Sequence, residues 1–255
     1  MSGIVSAVDI SSIPEGMLQT EFTVRSYDVD IRQRATIETI ARYLQETAWM
    51  HAEELDLGYE HLGKEGLVWV LSRLSLHVHA FPRWADKVYV RTWPRGSSGL
   101  MAMRDFQIFS SKGELLVSAG SAWIILDRKR GRPRRPDNHL SLISVLPQKR
   151  ALPFDPQKIS PIAECPECGN LIVRYSDIDM NSHVNNTRYV GWIMDLFPRQ
   201  FHEESSVRSL EINYLAECSW EDSVTAYLKR TDRGGAVSLV RHRDKVEVIR
   251  AEVGC

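Results

Sequence analysis

The sequence predicts an α+β protein built from two tandem copies of one unit, each an antiparallel sheet wrapped around a long helix. Three observations predict this class. Ser26-Tyr27-Asp28-Val29-Asp30 and Ser176-Asp177-Ile178-Asp179 pair Asp28 with Asp177 and Asp30 with Asp179 at a constant offset of 149 residues. Each stretch is followed by a helical pattern and then by strands of alternating polarity. Between the copies, seven of the eleven prolines fall from Pro133 to Pro166, which excludes a helix of any length there.

In the first copy, Ile37, Ile40, Ala41, Leu44 and Ala48 recur at helix spacing with Glu38, Arg42, Gln45 and Glu46 between them. Extra residues around Gly58 to Val70 precede a strand in which Leu74, Leu76 and Val78 alternate, and strands at Met103 to Phe109 and Leu115 to Leu126 follow. Arg128 to Arg135 carries six basic residues in eight and, with the prolines behind it, reads as a solvated linker. The expected division is residues 1–136, a linker 137–170, and 171–255. In the second copy, Asn185-Asn186 precede Tyr189, Ile193 and Leu196 before Pro198 stops the helix. Leu210, Ile212 and Tyr214 then alternate, and Val224 to Leu228 and Val237 to Arg250 read as strands. Trp84 matches Trp220 and Asp86 matches Asp222 at an offset of 136, shorter by the extra residues of the first copy.

Composition limits the function classes. With 255 residues, 43% hydrophobic and 25% charged, the chain can bury a sizeable core. Its 32 basic and 33 acidic side chains leave a net charge of −1, which argues against a dedicated nucleic-acid binder. No apolar run reaches the roughly 18 residues of a membrane span, and no Lys or Arg precedes Arg25, so neither a membrane segment nor a signal or transit peptide is expected. Four cysteines are too sparse for a secreted disulfide scaffold, which points to a reducing, cytoplasmic setting.

Several blocks together carry a family resemblance: Glu38-Thr39-Ile40 with Leu44-Gln45-Glu46-Thr47-Ala48, Trp84-Ala85-Asp86 with Thr92-Trp93, Met103-Arg104-Asp105-Phe106, and Asp179-Met180-Asn181-Ser182-His183-Val184-Asn185-Asn186 with Tyr189-Val190-Gly191-Trp192 and Glu217-Cys218. From about residue 18 to 250 the chain resembles the acyl-acyl-carrier-protein thioesterases, which release fatty acids from carrier protein in plants and some bacteria. The resemblance implies a double hot-dog fold with catalysis in the second half. It also implies a fatty acyl thioester substrate, acyl carrier protein as partner, no cofactor, and a monomer or homodimer. The N-terminus lacks the transit and anchoring region of the plant members, which suggests a bacterial form.

The residues themselves fit that chemistry. Thioester hydrolysis needs a nucleophile, a group to take its proton, and donors for the oxyanion. Asp179, Asn181 and His183 alternate, which on extended chain puts them on one side, just ahead of a helix whose first N–H groups suit a developing oxyanion. Glu217 comes from a separate strand end; either it or Asp179 supplies the carboxylate. Cys218 is either a nucleophile paired with His183 or a small buried neighbour of Glu217, and Glu217 is favoured as the essential group.

Each of these residues also has a purely structural reading. Taken alone, Asp179, Asn181 and Asn185 are turn formers and a helix cap. The first copy, however, has Arg32 and Arg34 where the second has Asn181 and His183, so the fold does not require the amide and imidazole, and the first copy is left as the wall of the acyl pocket. A calcium loop at Asp177 to Asn181 fails because Ser182 replaces the turn glycine and Arg188 the bidentate glutamate. Cys165-Pro166-Glu167-Cys168 is half a zinc ribbon and reads as two thiols in a turn, so no metal is expected. His77 and His79 read as an exposed sheet face. Arg104-Asp105 and Trp69, Trp84, Trp93 and Trp123 read as sheet packing, and Met101 and Met103 as tunnel lining or core. Two rivals remain: hydrolysis of acyl-coenzyme A on the same fold, and a non-catalytic acyl-thioester-binding module. Against the second, all four site residues are kept and no DNA-binding segment is present.

Overall fold

The computed structural model describes residues 7–163 and 166–255, which divide into two compact units, the first ending at Pro156 and the second running from Gln157 to Cys255 and taking in Arg73–Ser75. The first contains β1 (Leu18–Thr23), α1 (Ile37–Glu54), α2 (Tyr59–Lys64), β2 (Leu67–Val78), β3 (Lys87–Ser98), β4 (Met101–Ser110), β5 (Leu115–Asp127), β6 (Arg132–Arg134) and α3 (Asp137–Leu140). The second contains β7 (Glu167–Ile172), α4 (Asn186–Asp195), α5 (Arg199–Glu204), β8 (Ser209–Tyr214), β9 (Ser223–Thr231), β10 (Gly234–Arg241) and β11 (Val246–Gly254). The strand order is β1-β3-β4-β5-β2 in the first unit and β7-β9-β10-β11-β8 in the second. These are the same path with each strand replaced by its copy.

The spaced apolar residues of α1 do what their period predicts: Ile37, Ile40, Ala41, Leu44 and Ala48 are all buried, and the helix lies on β1 and β3. Phe22 of β1 stacks on Tyr43 at 4.4 Å between ring centroids. The α1 start is fixed by Thr36, whose hydroxyl accepts the Thr39 N–H at 3.0 Å. In the second unit Tyr189, Val190 and Ile193 of α4 are buried, and Tyr189 meets Tyr214 of β8 edge-on. The extra residues after α1 form α2. The long run expected as one strand from Val237 to Arg250 is two, β10 and β11, because Lys245 turns the chain at φ +58° and Asp244 clasps Arg241 across the turn.

The proline-rich stretch differs from the expected linker. Its prolines do prevent a long helix, but they do not prevent burial, and Asp137–Pro156 is strapped to the sheet face opposite α1. Trp93 donates its indole N–H to the Lys149 carbonyl at 2.9 Å, and the Ala151 N–H donates to Asp105 Oδ2 at 2.7 Å. Arg95 joins Asp105 at 2.7 Å and also Asp155, with its own side chain only 5% exposed. Beyond it, Asn213 of β8 holds both the Ile159 N–H and the Gln157 carbonyl. The basic run is likewise structured: Asp127 accepts the N–H groups of Lys129 and Arg130, Gly131 turns at φ +61°, and β6 pairs back onto β5. Cys165 lies outside the described residues, and Cys168 sits in strand β7 rather than in a turn. His77 is half-buried and packs edge-on to Phe154, whereas His79, just past β2, is exposed as expected and meets the Ser118 hydroxyl.

Because Asp105 neutralises Arg95 and also anchors the strap, Asp105→Ala leaves a buried cation and an unbonded amide. It is expected to lower unfolding free energy by about 3 kcal/mol, the low end for breaking a buried pair because Asp155 still holds Arg95. Asp155→Ala, half-open to solvent, is expected to cost about 1 kcal/mol. Denaturant unfolding of the two variants checks the order.

Candidate active site

The chain leaves β7, makes a 3-10 turn at Tyr175–Asp177, and reaches the residues singled out by spacing. Asp177 is buried; its Oδ2 accepts the Arg174 N–H at 2.8 Å and its Oδ1 the Arg188 Nε–H at 2.9 Å. Ile178 and Val184 form an isolated antiparallel bridge, and the residues between them double back. The Asp179 N–H donates to the His183 carbonyl at 2.9 Å, the Ser182 N–H to the Asp179 carbonyl at 2.9 Å, and Ser182 takes φ +63°. Asp179, Asn181 and His183 are therefore gathered by a tight turn, not by the extended chain their alternation suggested. Asp179 Oδ1 accepts the Asn181 N–H at 2.8 Å, which stitches the turn. Asn185 then caps α4, its Oδ1 accepting the Thr187 N–H at 2.9 Å.

One hydrogen bond carries this turn to the other half of the site. The Val184 N–H donates to the Cys218 carbonyl at 2.9 Å, so the residues flanking that pair face each other, and His183 Nε2 lies 3.3 Å from Glu217 Oε2. These side chains are 39% and 53% exposed, open to water. The Asn181 side-chain amide makes no hydrogen bond to another described residue and is half-buried. The structure thus joins His183 with Glu217 and places Asp179 and Asn181 in the adjoining turn.

Cys218 is fully buried, and burial pushes its thiol pKa up, opposite to what a thiolate nucleophile needs. Its N–H donates to the Tyr189 hydroxyl at 3.0 Å. The spacing marks Tyr189 as an apolar helix position and the resemblance includes it in Tyr189-Val190-Gly191-Trp192; its hydroxyl, which a buried tyrosine has to satisfy, is the signal for this bond. Arg241 was missed altogether: its guanidinium donates to the Glu217 carbonyl while pairing with Asp244 at 2.7 Å.

The first unit repeats this frame without the chemistry. The Asp30 N–H donates to the Arg34 carbonyl at 2.8 Å, the Gln33 N–H to the Asp30 carbonyl, and Gln33 takes φ +58°; Asp30 Oδ1 accepts the Arg32 N–H and Val29 bridges Ala35. The Ala35 N–H donates to the Pro82 carbonyl at 2.8 Å, as Val184 does to Cys218. Only the side chains differ. Where His183 meets Glu217, Arg34 pairs with Asp30 at 2.9 Å and lies 4.8 Å from the centre of the Phe81 ring.

Comparison with known proteins follows the same division. Residues 15–141 match the acyl-ACP thioesterase N-terminal domain and residues 163–250 the acyl-ACP thioesterase C-terminal domain. The palmitoyl-acyl carrier protein thioesterase of Gossypium hirsutum is 32% identical over 93% of this chain and 63% of its own, and oleoyl-acyl carrier protein thioesterase 2 of Arabidopsis thaliana is 28% identical over 80% and 60%. The chain thus spans a little under two thirds of the length of these chloroplastic relatives. Among solved structures, an acyl-ACP thioesterase from Bacteroides thetaiotaomicron superposes with a TM-score of 0.85 at 25% identity, covering 94% of this chain and 97% of that one. The 12:0-ACP thioesterase of Umbellularia californica, at 22% identity and TM-score 0.83 over 95% and 98%, shares the fold. With two family domains matched in order over most of its length, and with one strand path repeated in each half, the chain belongs to the acyl-ACP thioesterase family and has its double hot-dog fold.

Proposed function

We propose that the chain hydrolyses fatty acyl thioesters carried on acyl carrier protein, giving free fatty acid and the carrier thiol. The observation that carries this reading is the His183–Glu217 contact beside the Asp179 turn, set in a frame whose first-unit copy holds Arg34 and Phe81 instead. Glu217, with half its side chain in solvent, takes the proton from a water as that water attacks the carbonyl carbon. His183 donates its Nε2–H to the Glu217 carboxylate and so orients it; as the C–S bond breaks it gives this proton to the sulfur and takes up the one Glu217 removed from water. The Asn181 amide and the first N–H groups of α4 donate to the oxyanion. Asp179 spends Oδ1 on the turn, so of the two carboxylates Glu217 is the base and Asp179 positions the turn. The first unit, with Arg34 and Phe81 where the second has His183 and Glu217, serves the acyl chain. The cytoplasmic setting read from cysteine usage belongs to the same proposal.

Steady-state hydrolysis of acyl-carrier-protein against acyl-coenzyme A substrates tests the reading, since preference for the coenzyme favours the first rival and turnover of neither the binding module. Glu217→Ala and His183→Ala are each expected to lower kcat by about 10²- to 10⁴-fold, with unfolding little changed. Wild-type turnover in either variant removes that residue from the mechanism.

Cys218→Ser is expected to keep most of the activity because water, not the buried thiol, attacks. Mass spectrometry of enzyme quenched during turnover checks this, and an acyl group on Cys218 would overturn it.

The β5–β6 hairpin carries Arg128, Lys129, Arg130, Arg132, Arg134 and Arg135, all exposed, against the single carboxylate of Asp127. Such a surface suits an acidic carrier protein and acts mainly on encounter and specificity. Replacing Arg130, Arg132 and Arg134 with Glu is expected to raise KM for the acyl-carrier-protein substrate about tenfold at low salt, less at high salt, while a small acyl-thioester analogue is unaffected. Equal effects on both substrates would send docking elsewhere.

A further inference from the structure

Three buried strand arginines are held by described acceptors, Arg91 through neutral ones alone. Arg91 donates to the Gln19 side chain and to the carbonyls of Asp9 and Ser12; Arg95 pairs with Asp105 and Asp155; Arg250 pairs with Glu247 and donates to the Ile159 carbonyl. Arg104 of β4 differs. It lies on the sheet face covered by α1, and its Nη1 donates to His51 Nδ1 in the last turn of that helix at 3.0 Å and to Thr92 Oγ1 on β3 at 3.1 Å. Both partners are neutral acceptors. Its Nε and Nη2 make no hydrogen bond to another described residue, and no described carboxylate pairs with it.

The group is nonetheless a cation. Burial alone lowers its pKa, to about 10, which leaves it charged at neutral pH. His51 gives no neutralising charge: because Nδ1 accepts from Arg104, the ring proton sits on Nε2, and burial, followed by the Arg104 charge, holds its pKa down to about 4. An enclosed guanidinium without a counter-ion is costly, and natural sites of this kind are paired. Arg104 is half-buried, where Arg91, Arg95 and Arg250 are buried.

The unused atoms specify the ligand. Nε–H and Nη2–H form the flat edge of the guanidinium that a carboxylate meets with two parallel hydrogen bonds. The surroundings on the same faces are apolar, with Ala48 and Leu44 one and two turns before His51 and Phe106 two residues beyond Arg104, all buried. We propose that Arg104, held by His51 and Thr92, is a carboxylate-binding site inside the first unit that takes the head group of a free fatty acid. The identity of that acid as reaction product rests on the thioesterase reading; the site itself does not.

Calorimetric titration of the full chain with laurate, methyl laurate and acetate tests it, with thermal unfolding in the same ligands as a second reading. Laurate is expected to bind and raise Tm, methyl laurate and acetate to bind at least tenfold more weakly, and Arg104→Met to weaken laurate at least tenfold. Should Arg104→Met not fold, the wild-type protein with [1-¹³C]laurate decides: a bound carboxyl resonance that stays ionised to lower pH than free laurate supports the site. Equal binding of laurate and its methyl ester, undiminished binding to Arg104→Met, or a bound carboxyl that titrates like free laurate would each overturn it. No step of this measurement involves hydrolysis, so an enzyme inactive on acyl-carrier-protein substrates that still binds laurate through Arg104 refutes the function and spares the site.

Discussion

The backbone hydrogen bond from Val184 N–H to the Cys218 carbonyl is the constraint on which the site depends. Its own net worth is about 1 kcal/mol, no more than any other of its kind. Its effect is geometric. It joins a turn that precedes a helix to a segment that follows a strand, 34 residues on, and it orients the neighbours of both partners. His183 and Glu217 meet because they flank this bond, and their relative position is set by backbone, which holds it more tightly than two exposed side chains hold each other.

The duplication separates what that frame requires from what it permits. Both units keep the buried aspartate of the 3-10 turn, the aspartate that stitches the next turn, the left-handed residue, and the bond into the strand-end segment. In the first unit the open positions are used for stability: Arg34 is salt-bridged and stacked on Phe81, with its side chain 12% exposed. In the second unit they hold an imidazole and a carboxylate in contact but largely in solvent. An exposed pair of that kind contributes roughly 0–1 kcal/mol, too little to account for its being there on stability grounds. What the second unit gains is access.

Much of this was legible because periodicity and duplication are sequence properties. The aspartate offsets, the α1 face from Ile37 to Ala48 and the cap at Asn185 needed no coordinates. The errors share a physical origin in long-range contact. Asp179-x-Asn181-x-His183 alternates like a strand, and nothing local in Ser182 announces φ +63°; the bridge to Val184 imposes it. The prolines from Pro147 to Pro156 forbid helix but are silent on burial, which is decided by Trp93 and Asp105 some 50 residues earlier. Arg104 read as sheet packing because His51, the helix residue that enclosed it, is 53 positions away.

The same comparison between units bears on the cysteine. Pro82 stands where the second unit has Cys218, and both are buried and accept the same backbone hydrogen bond. Proline has no thiol, so what the frame demands at this position is a carbonyl on a compact, buried residue. Proline also has no N–H, whereas Cys218 has one that is buried and must be satisfied. The helix position facing it responds accordingly: Ile40, fully buried, in the first unit, and Tyr189 in the second, whose hydroxyl accepts the Cys218 N–H. The buried thiol lies beside that hydroxyl with its pKa raised by burial. Each group around Cys218 is thus accounted for by the need to bury and anchor the strand-end segment, and the same anchoring holds the neighbouring Glu217 side chain out toward His183.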